Sequence, residues 1–355
     1  MLFVLIMMGV IWGIGAAMKA PVRPRLVLIG AIYALVVLMQ LTLPEGTALR
    51  EGTGGSAGPW LVLGVFVALG LAYRTGLRRL RARMAPDAAP PTDRPEAFRE
   101  AELDRYARQI LLREIGGTGQ KRLRDARVLV VGAGGLGSPV LLYLAAAGVG
   151  TLGVIDDDVV ENSNLQRQIL HTDARIGMPK VFSAKAAVEA LNPFVELRPY
   201  RRRLTGDIAG ELFADYDLIL DGSDNFETRA LVNRAAVAAG VPLVSGAIAQ
   251  WEGQIGVFHP AAGGPCLACV FPQAPDADLG PGCAEAGVVA PLPGILGSMM
   301  ALEAIKILTG AGRPLTGRLV LHDALEGQSR TLRTHARPDC PVCAGVQPRA
   351  VKAVG

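Results

Sequence analysis

The sequence predicts an α/β domain whose sheet carries helices on both faces, preceded by an all-α transmembrane segment. Three long uncharged apolar stretches open the chain, short apolar runs alternate with helical patterns from Arg127 onward, and a glycine-rich turn follows the first of these runs. The 355 residues have a mean hydropathy of +0.33 and 19% charged side chains. This composition excludes disordered, collagen-like, coiled-coil and small disulfide-rich classes. The length suits one large domain with an appendage, or two domains.

The charged side chains are distributed unevenly along the chain. Residues 1–84 contain nine Lys or Arg and two Asp or Glu, a net charge of +7. Of the 36 basic and 32 acidic residues in the whole chain, 27 and 30 therefore remain in residues 85–355, a net charge of −3. Because a nucleic-acid-binding face needs a basic excess, we expect the globular part to bind no nucleic acid.

The three apolar stretches, Leu2–Met18, Leu26–Leu43 and Pro59–Tyr73, are predicted to be membrane-spanning helices. A span needs about 20 residues, so the third stretch requires a further turn from the uncharged residues before it. The basic residues near the spans are Lys19, Arg23 and Arg25 between the first two, Arg50 between the second and third, and Arg74, Arg78, Arg79, Arg81 and Arg83 after the third. The positive-inside rule then predicts a multi-pass protein of the cell inner membrane, with an external N-terminus and a cytoplasmic catalytic domain.

Two alternatives to a membrane segment stay open. One is a cleaved signal peptide at Leu2–Met18, although no basic residue precedes this run and a second apolar stretch follows closely. The other is a buried helical hairpin of a soluble protein, although apolar runs of this length exceed ordinary core helices.

A proline-rich stretch follows the apolar part of the chain. Pro86, Pro90, Pro91 and Pro95 prevent a continuous helix and predict a semi-rigid tether. The predicted organisation is a membrane segment at residues 1–83, a linker at 84–96, an α/β domain at 97–345 and a tail at 346–355.

The glycine-rich turn predicts a nucleotide site. A buried strand at Arg127–Val131 leads into Gly132–Gly137, then a helix at Ser138–Ala147 and a second strand at Thr151–Ile155. Glycines at positions such as Gly134, Gly135 and Gly137 let the backbone approach phosphate, and the helix N-terminus offers unpaired N–H groups to the anion. Asp156, 19 positions after the last glycine, suits a ribose hydroxyl. This Rossmann-like pattern alone fits a dinucleotide dehydrogenase as well as an ATP-dependent enzyme.

Charged groups after the later strands favour a triphosphate. The relevant segments are Asp156-Asp157-Asp158, Ser163–Gln168, Lys180, and Asp221–Asn225 with Arg229 after a predicted strand at Asp217–Leu220. Ligands of open α/β sheets bind at the carboxyl ends of the strands, where these groups are expected to meet. A nicotinamide site needs few charges beside its ring, whereas Arg, Lys and a magnesium-binding carboxylate suit ATP.

The order of these motifs resembles the ThiF/MoeB/HesA family, whose members are similar to the ubiquitin-activating enzymes. The resemblance covers about Ala97–Cys343, in the segments Arg105–Gln109, Gly132–Gly137, Ser163–Gln168, Asp224-Asn225, Ser245-Gly246, Glu252–Gln254, Glu285–Val288 and Glu303–Lys306. It implies a homodimeric ThiF-type adenylation domain that uses ATP and Mg²⁺ to adenylate the C-terminal glycine of a ubiquitin-like sulfur-carrier protein ending in Gly-Gly. The apolar N-terminal segment departs from the family, whose members are commonly soluble.

The resemblance also implies residue roles. ATP and magnesium would be held by Gly135, Asp156, Asn164, Arg167, Lys180, Asp224 and Asn225, and Arg108 would reach into the partner subunit's site. A carboxylate with a pKa of about 3.5 is already ionised near neutrality, so the reaction needs no general base. The chain has four histidines, and none lies among these motifs. Because the two reacting groups repel each other as anions, we assign Arg108, Arg167 and Lys180 to phosphate charge and Asp224 to magnesium.

Four of the five cysteines predict a structural zinc site. Cys266 with Cys269, and Cys340 with Cys343, form two CxxC pairs, each able to give two thiolates to a tetrahedral zinc ion. A redox CxxC is the alternative, while the expected cytoplasmic location disfavours disulfides. The fifth, Cys283, lies in a Gly/Pro-rich loop, Asp276–Gly287. Some branches of the family use a cysteine here for a covalent link to the carrier, and a buried inert thiol is the alternative.

The sequence also favours one biosynthetic branch of the family and leaves three rival functions open. The Glu285–Pro291 and Gly294–Leu308 segments are closer to the molybdopterin branch of the family than to the thiamine branch. Because the chain ends at Gly355 without room for a sulfurtransferase domain, we expect a separate sulfur donor. The rival functions are an NAD-dependent oxidoreductase, a non-catalytic membrane scaffold and a tRNA-modifying relative. The net negative charge of the globular part counts against RNA.

Overall fold

The structure is a computed structural model of the 355-residue chain. It describes residues 1–18, 22–66, 68–70, 73, 97–273 and 287–346. The chain divides into two compact units, Met1–Arg94 and Pro95–Gly355. The predicted linker at 84–96 lies outside the described residues, so the predicted domain boundaries stay predictions.

The first unit is helical. Its described elements are α1 (Leu2–Ala17), α2 (Val22–Thr42), α3 (Ala48–Gly52) and helical residues 58–66 and 68–70. A small core of Val4, Met8, Val36 and Trp60 holds the helices together, and the Tyr33 hydroxyl donates to the Trp60 carbonyl oxygen at 2.7 Å. Most other large apolar side chains of this unit are exposed, which reverses the usual arrangement of a protein in water.

Two described helices are long and apolar enough to cross a membrane. One is Arg25–Thr42 within α2, of which 11% is buried, and the other is Pro291–Thr309 in the second unit, of which 56% is buried. The Pro291–Thr309 helix packs on strands and helices of its own unit, so it is a core helix. Core helices and signal sequences pass the same test of length and composition, so the membrane segment stays a prediction.

The second unit is built on one eight-stranded sheet, in the order β3-β2-β1-β4-β5-β6-β7-β8. The strands are β1 (Arg127–Val131), β2 (Thr151–Ile155), β3 (Glu196–Tyr200), β4 (Leu218–Asp221), β5 (Leu243–Ile248), β6 (Glu252–Phe258), β7 (Arg318–Asp323) and β8 (Gln328–Arg333). Neighbouring strands are parallel from β3 to β5 and antiparallel from β5 to β8. Of the parallel strands, β1, β2 and β4 were predicted from the sequence, whereas β3, β5 and the antiparallel extension were not.

Helices cover both faces of this sheet, as predicted. They are α4 (Glu100–Ile110), α5 (Gly116–Asp125), α6 (Gly137–Ala147), α7 (Lys180–Leu191), α8 (Gly206–Ala214), α9 (Phe226–Ala239), α10 (Leu267–Val270) and α11 (Pro291–Thr309). Alternate residues of β1 face opposite cores: Val128 and Val130 pack with α6, α7 and α11, while Leu129 and Val131 pack with α8 and α9. Side chains of a strand alternate in this way, so an uninterrupted apolar run marks a strand buried on both faces.

Two predicted boundaries are wrong by one residue. The helix after the glycine turn begins at Gly137 rather than Ser138. The fourth strand is Leu218–Asp221 rather than Asp217–Leu220. Asp217 lies just before this strand, where its carboxylate accepts a hydrogen bond from the Arg127 N–H at 2.7 Å. Asp221, in contrast, pairs with Val131 on one side and Ser245 on the other.

Candidate active site

The glycine turn lies where three central strands end together. Val131 is opposite Ile155 of β2 and Asp221 of β4, so the residues after these strands share one edge of the sheet. Gly132 has φ of +91°, a conformation that favours glycine. A Cβ atom on Gly137 would lie 1.9 Å from the Gly132 carbonyl oxygen, so only glycine fits there. The turn is therefore compact enough to bring backbone N–H groups to this edge.

Asp156 is fixed directly beside the glycine turn. Its Oδ2 accepts the Ala133 N–H and its Oδ1 accepts the Asp158 N–H, both at 2.8 Å. Burial raises the pKa of Asp156, although the two N–H groups and the nearby Lys180 favour the ionised form. Asp156 thus lies beside the glycine turn, where its expected contact with the ribose would be made. Its Oδ2 already holds the turn through the Ala133 N–H.

Lys180, the first residue of α7, lies next to Asp156 and is almost fully buried. Its Nζ forms an ion pair with Asp158 at 2.9 Å, and its backbone N–H donates to the Asp158 carbonyl oxygen. Asp158 itself is exposed. A lysine paired with an exposed carboxylate can exchange that partner for a phosphate, because its own position is fixed by the helix start.

The segment after β2 brings Asn164 and Arg167 to the same place. Asn164 is buried, and its Oδ1 accepts a hydrogen bond from Gln168 Nε2 at 2.7 Å. The Arg167 side chain lies over the glycine turn, because its Cγ is 3.8 Å from the position of a Cβ on Gly135. One Arg167 N–H donates to the Ser163 carbonyl oxygen at 3.2 Å. An arginine carries five N–H donors, so others are available for an anion.

The turn after β4 packs directly on the glycine turn. A Cβ on Gly222 would lie 3.2 Å from the Gly137 nitrogen. Asp221 is fully buried and shapes this turn, because its Oδ1 accepts from the Ser223 hydroxyl at 2.6 Å and its Oδ2 from the Ser245 hydroxyl at 3.0 Å. The sequence analysis gave Asp221 no role, although a carboxylate at the end of a buried strand was a usable signal.

Asp224 and Asn225 follow in this turn and are exposed at the shared edge. Asn225 caps α9, with its Oδ1 accepting the Thr228 N–H at 2.9 Å, and its Nδ2 lies 3.3 Å from Asp224 Oδ1. Asp224 thus keeps carboxylate oxygen sites that an external cation can use. Arg229 donates to the Ser223 carbonyl oxygen, which holds the turn on the helix.

Of the remaining predicted site residues, the structure describes Arg108 but not Cys283. Arg108 lies exposed on α4, as a residue that reaches a partner subunit must. Cys283 and the Glu285-Ala286 part of the family motif lie outside the described residues. The predicted nucleotide ligands therefore come together, while the roles of Arg108 and Cys283 stay predictions.

A histidine that the sequence analysis had set aside lies beneath the glycine turn. His171 is 5% exposed; its Nε2 is 2.9 Å from the Ala133 carbonyl oxygen and its Nδ1 is 2.9 Å from the Ser183 hydroxyl on α7. Burial lowers the pKa of His171, and the nearby Lys180 and Arg175 lower it further. No histidine lies within these motifs in the sequence, but folding brings His171 to Ala133 of the glycine turn, from which 38 residues separate it in the chain.

Four buried thiols form a second site in the same unit. Cys266, Cys269, Cys340 and Cys343 lie with all Sγ atoms within 4.8 Å of one another, and the closest pairs are 3.4, 3.6 and 3.8 Å apart. These distances exceed a disulfide bond of about 2.05 Å. They are close to the spacing of about 3.8 Å that four sulfurs adopt around a tetrahedral zinc ion with bonds of about 2.3 Å.

Without an ion, burial raises the pKa of two of these thiols, Cys266 and Cys343, so they stay protonated near neutrality. Burial raises the pKa of Cys266 to about 11. For Cys340 burial acts in the same direction, but N–H groups from Val342 and Cys343 outweigh it and lower the pKa to about 7. The Arg337 N–H donates to Cys269 Sγ at 3.3 Å. Four buried thiolates need a divalent ion for neutralisation, and these residues offer one complete tetrahedral ligand set.

Comparison with known proteins agrees with this geometry. The ThiF family pattern matches residues 106–342. A protein of Thermus thermophilus named sulfur carrier protein adenylyltransferase is 53% identical over 246 residues, which cover 68% of this chain and 91% of that protein. A protein of Haloferax volcanii named SAMP-activating enzyme E1 is 49% identical over 242 residues, 68% of this chain and 89% of that protein.

Solved structures show the same fold. A crystal structure of MccB from E. coli with ATP has a TM-score of 0.58 and 22% sequence identity, and it covers 64% of this chain and 70% of that one. Identity this low speaks for the fold and not for the reaction. The sequence matches, however, extend over most of the second unit, and the chain belongs to the ThiF family.

Proposed function

We propose that this ThiF-family chain is an ATP-dependent adenylyltransferase that activates the C-terminal glycine of a ubiquitin-like sulfur-carrier protein. The glycine carboxylate attacks the α-phosphorus of ATP, a carboxyl oxygen–phosphorus bond forms, and the bond to the bridging oxygen of the β-phosphate breaks. The products are a carrier acyl-adenylate and pyrophosphate. A sulfur donor then acts on the acyl-adenylate, in molybdopterin or thiamine biosynthesis.

One observation carries this proposal: the glycine turn, Asp156, Lys180 and the Asp224-Asn225 turn meet at the ends of β1, β2 and β4. Backbone N–H groups and two cations face the place where the phosphates of a bound nucleotide would lie. Relatives with 53% and 49% identity carry names of carrier-activating enzymes, which favours this reaction over the oxidoreductase and the scaffold.

The chain's own residues overcome repulsion between two anions. Arg167 and Lys180 place positive charge beside the α-phosphate, and Arg108 adds a third cation from the partner subunit of a homodimer. Asp224 would hold Mg²⁺, and a bound ion would supply positive charge near the leaving pyrophosphate. Asp156 holds the ribose, so the α-phosphorus is oriented toward the incoming carboxylate. No proton is moved, because the attacking carboxylate is already ionised.

The zinc site supports this reaction from a distance. Cys266, Cys269, Cys340 and Cys343 would hold a structural Zn²⁺ and so join the C-terminal segment to the residues after β6. Four protein ligands would leave such an ion without an open position for substrate. Cys283 carries no step in this proposal.

The test is carrier-dependent ATP–pyrophosphate exchange by the purified full-length chain. Candidate sulfur carriers ending in Gly-Gly are incubated with ATP, Mg²⁺ and labelled pyrophosphate, and a carrier without its last glycine is the matched control. We expect label in ATP only with the intact carrier. Exchange with neither carrier contradicts the proposed reaction, and binding of NADH instead of ATP favours the oxidoreductase.

The first unit is assigned to the inner membrane, with the catalytic unit in the cytoplasm. The apolar part of α2, Arg25–Thr42, has 18 residues, which extend about 27 Å as a helix, close to the hydrocarbon thickness of a bilayer, about 30 Å. Phe3, Val27 and Phe66 are about 70% exposed, as side chains facing lipid would be. Arg50 of α3, the basic residue expected on the outside, is already paired, because it donates to the Leu43 carbonyl oxygen and forms an ion pair with Glu45.

Two measurements test this assignment on the full-length chain. We expect it to stay in the membrane pellet after alkaline carbonate extraction. Protease added to spheroplasts should remove a tag at the N-terminus and leave a tag at the C-terminus intact. Release by carbonate contradicts the membrane segment, and protection of both tags contradicts the orientation.

A further inference from the structure

His171 connects the glycine turn to the helix that carries Lys180. The ring is almost fully buried and contacts the Ala133 carbonyl oxygen through Nε2 and the Ser183 hydroxyl through Nδ1, both at 2.9 Å. Ser183 belongs to α7, one turn after Lys180. The ring is therefore the direct polar link between the turn and that helix.

The two contacts fix the position of the ring proton. A carbonyl oxygen only accepts, so Nε2 of His171 must donate to Ala133. The neutral ring then accepts from the Ser183 hydroxyl through Nδ1, and both nitrogens are satisfied. The charged groups around it, Lys180 and Arg175, are both cations and favour the neutral form.

The bond to Ala133 also sets the direction of the next N–H group. In a planar trans peptide, the Ala133 carbonyl and the Gly134 N–H point in opposite directions. With the carbonyl turned toward the buried His171, the Gly134 N–H points away from the interior. No acceptor for this N–H occurs among the residues that the structure describes. The preceding peptide is fixed as well, because the Ala133 N–H donates to Asp156.

We propose that His171 is a positioning residue that directs the Gly134 N–H at the phosphates of ATP. This rests on the proposed function, which places the phosphates above the glycine turn. Through Ser183 the same ring keeps the N–H group and the Lys180 cation in one arrangement. His171 touches neither nucleotide nor carrier, and its effect on ATP passes through the orientation of the Ala133–Gly134 peptide.

Three full-length variants separate positioning from general stability. The Gln side chain places an N–H near the position of histidine Nε2, so His171→Gln keeps the bond to Ala133. The shorter Asn side chain reaches only the Nδ1 position, so His171→Asn keeps the contact with Ser183 and leaves the Ala133 carbonyl without its donor. Ser183→Ala removes only the second contact. Kd values for ATP and for adenosine are measured by calorimetry, and melting temperatures report folding.

We expect His171→Asn to weaken ATP binding about tenfold while leaving adenosine binding unchanged, because only ATP carries phosphates. His171→Gln should restore ATP binding to within about twofold, and Ser183→Ala should show a smaller loss of the same kind. Equal losses for ATP and adenosine, or no rescue by glutamine, would overturn the proposal. Where His171→Asn fails to fold, Ser183→Ala decides by the same ATP-to-adenosine ratio. Wild-type chain that binds no ATP contradicts the proposed function itself.

Discussion

The second unit contains two sites. One is the nucleotide edge, where β1, β2 and β4 end, and the other is the four-thiol cluster of Cys266, Cys269, Cys340 and Cys343. They differ in how many of their polar groups already have partners within the chain. At the nucleotide edge Asp224 is exposed, and Lys180 is paired with an exposed carboxylate. Arg167 donates one N–H to a backbone carbonyl oxygen. At the thiol cluster all four ligands are buried and face only one another and a few N–H groups. The first arrangement leaves room for substrate, and the second offers four ligands that could enclose one ion.

This difference predicts two kinds of mutational effect. Changes in the closed cluster should act on folding, because nothing in water replaces the missing ligand. Changes at the open edge should act on catalysis with little effect on folding, because its groups are already exposed or free to change partners. A variant that shows the opposite pattern contradicts this distinction between the two sites.

The largest expected effect is removal of zinc. Structural zinc contributes about 10–16 kcal/mol of apparent binding free energy in small zinc domains, so Cys269→Ser should lose the metal and much of the stability of the second unit. Metal content by mass spectrometry and the melting temperature check this. Cys283→Ser is the matched control and should keep wild-type zinc content. A metal-free Cys269→Ser protein that melts like the wild type contradicts a structural role.

Next in size is the loss of the magnesium ligand. Asp224→Ala should reduce carrier-dependent exchange by about 10²–10³-fold, which corresponds to about 2.7–4 kcal/mol in the barrier, and it should leave the melting temperature unchanged. Asp215→Ala makes the same charge change at an exposed residue outside this edge and is the control. If Asp224→Ala exchanges at the wild-type rate, Asp224 does not hold the catalytic ion.

A smaller effect on the free energy of unfolding is expected when the pH is lowered. Burial lowers the pKa of both His171 and His259 from the model-peptide value of 6.5. Below pH 6.5 the unfolded chain therefore binds more protons than the folded chain, so the free energy of unfolding falls as the pH drops toward the folded-state values. The slope is at most about 1.4 kcal/mol per pH unit for each histidine.

Calorimetry of the full-length chain between pH 7.5 and 5.5 measures this slope. His171→Gln removes one titrating group while keeping the bond to Ala133, so its stability should depend less on pH than that of the wild type. Equal slopes for the two proteins contradict the assignment of His171 as a buried neutral ring.

The smallest effect is expected at Asn225. This residue is predicted from the sequence to bind the nucleotide, and in the structure it is also the N-cap of α9. Asn225→Ala should lower the free energy of unfolding by about 1 kcal/mol, whereas Asn225→Ser keeps the cap. Urea unfolding measures the stability, and Kd for ATP measures the second role. A serine variant with normal stability and weak ATP binding shows that the amide acts on the nucleotide.

Local patterns in the sequence predicted the centre of the fold well. β1, β2 and the turn between β1 and α6 follow from an apolar run, a glycine cluster and a second apolar run. The antiparallel strands β6 to β8 were not predicted. The pairing of β6 with β7 joins segments that lie far apart in the chain, as between Glu252 and Asp323, whereas β5–β6 and β7–β8 are hairpins. All six residues of β8 are exposed, so β8 lacks the apolar alternation that marks a strand.

In the candidate active site, too, some features could be predicted from local sequence patterns and others could not. Its ligand-bearing residues stand in recognisable motifs, because phosphate, magnesium and zinc each demand particular side chains at particular spacings. The residues that hold those ligands in place, Asp221 and His171, carry no motif that reveals their function. Asp221 acts through Ser223 and Ser245, and His171 through Ala133 and Ser183. Such supporting contacts depend on distance in space, so only the folded chain shows them.

The sequence by itself determined the chemistry of this protein: which residues can approach phosphate, which can carry charge, and which four sulfurs can share an ion. The tertiary structure decided which polar groups are already occupied, which are left available, and which peptide groups are held in one direction. The physical reason is that chemical type belongs to each side chain, whereas hydrogen-bond partners and burial arise only when distant segments pack together.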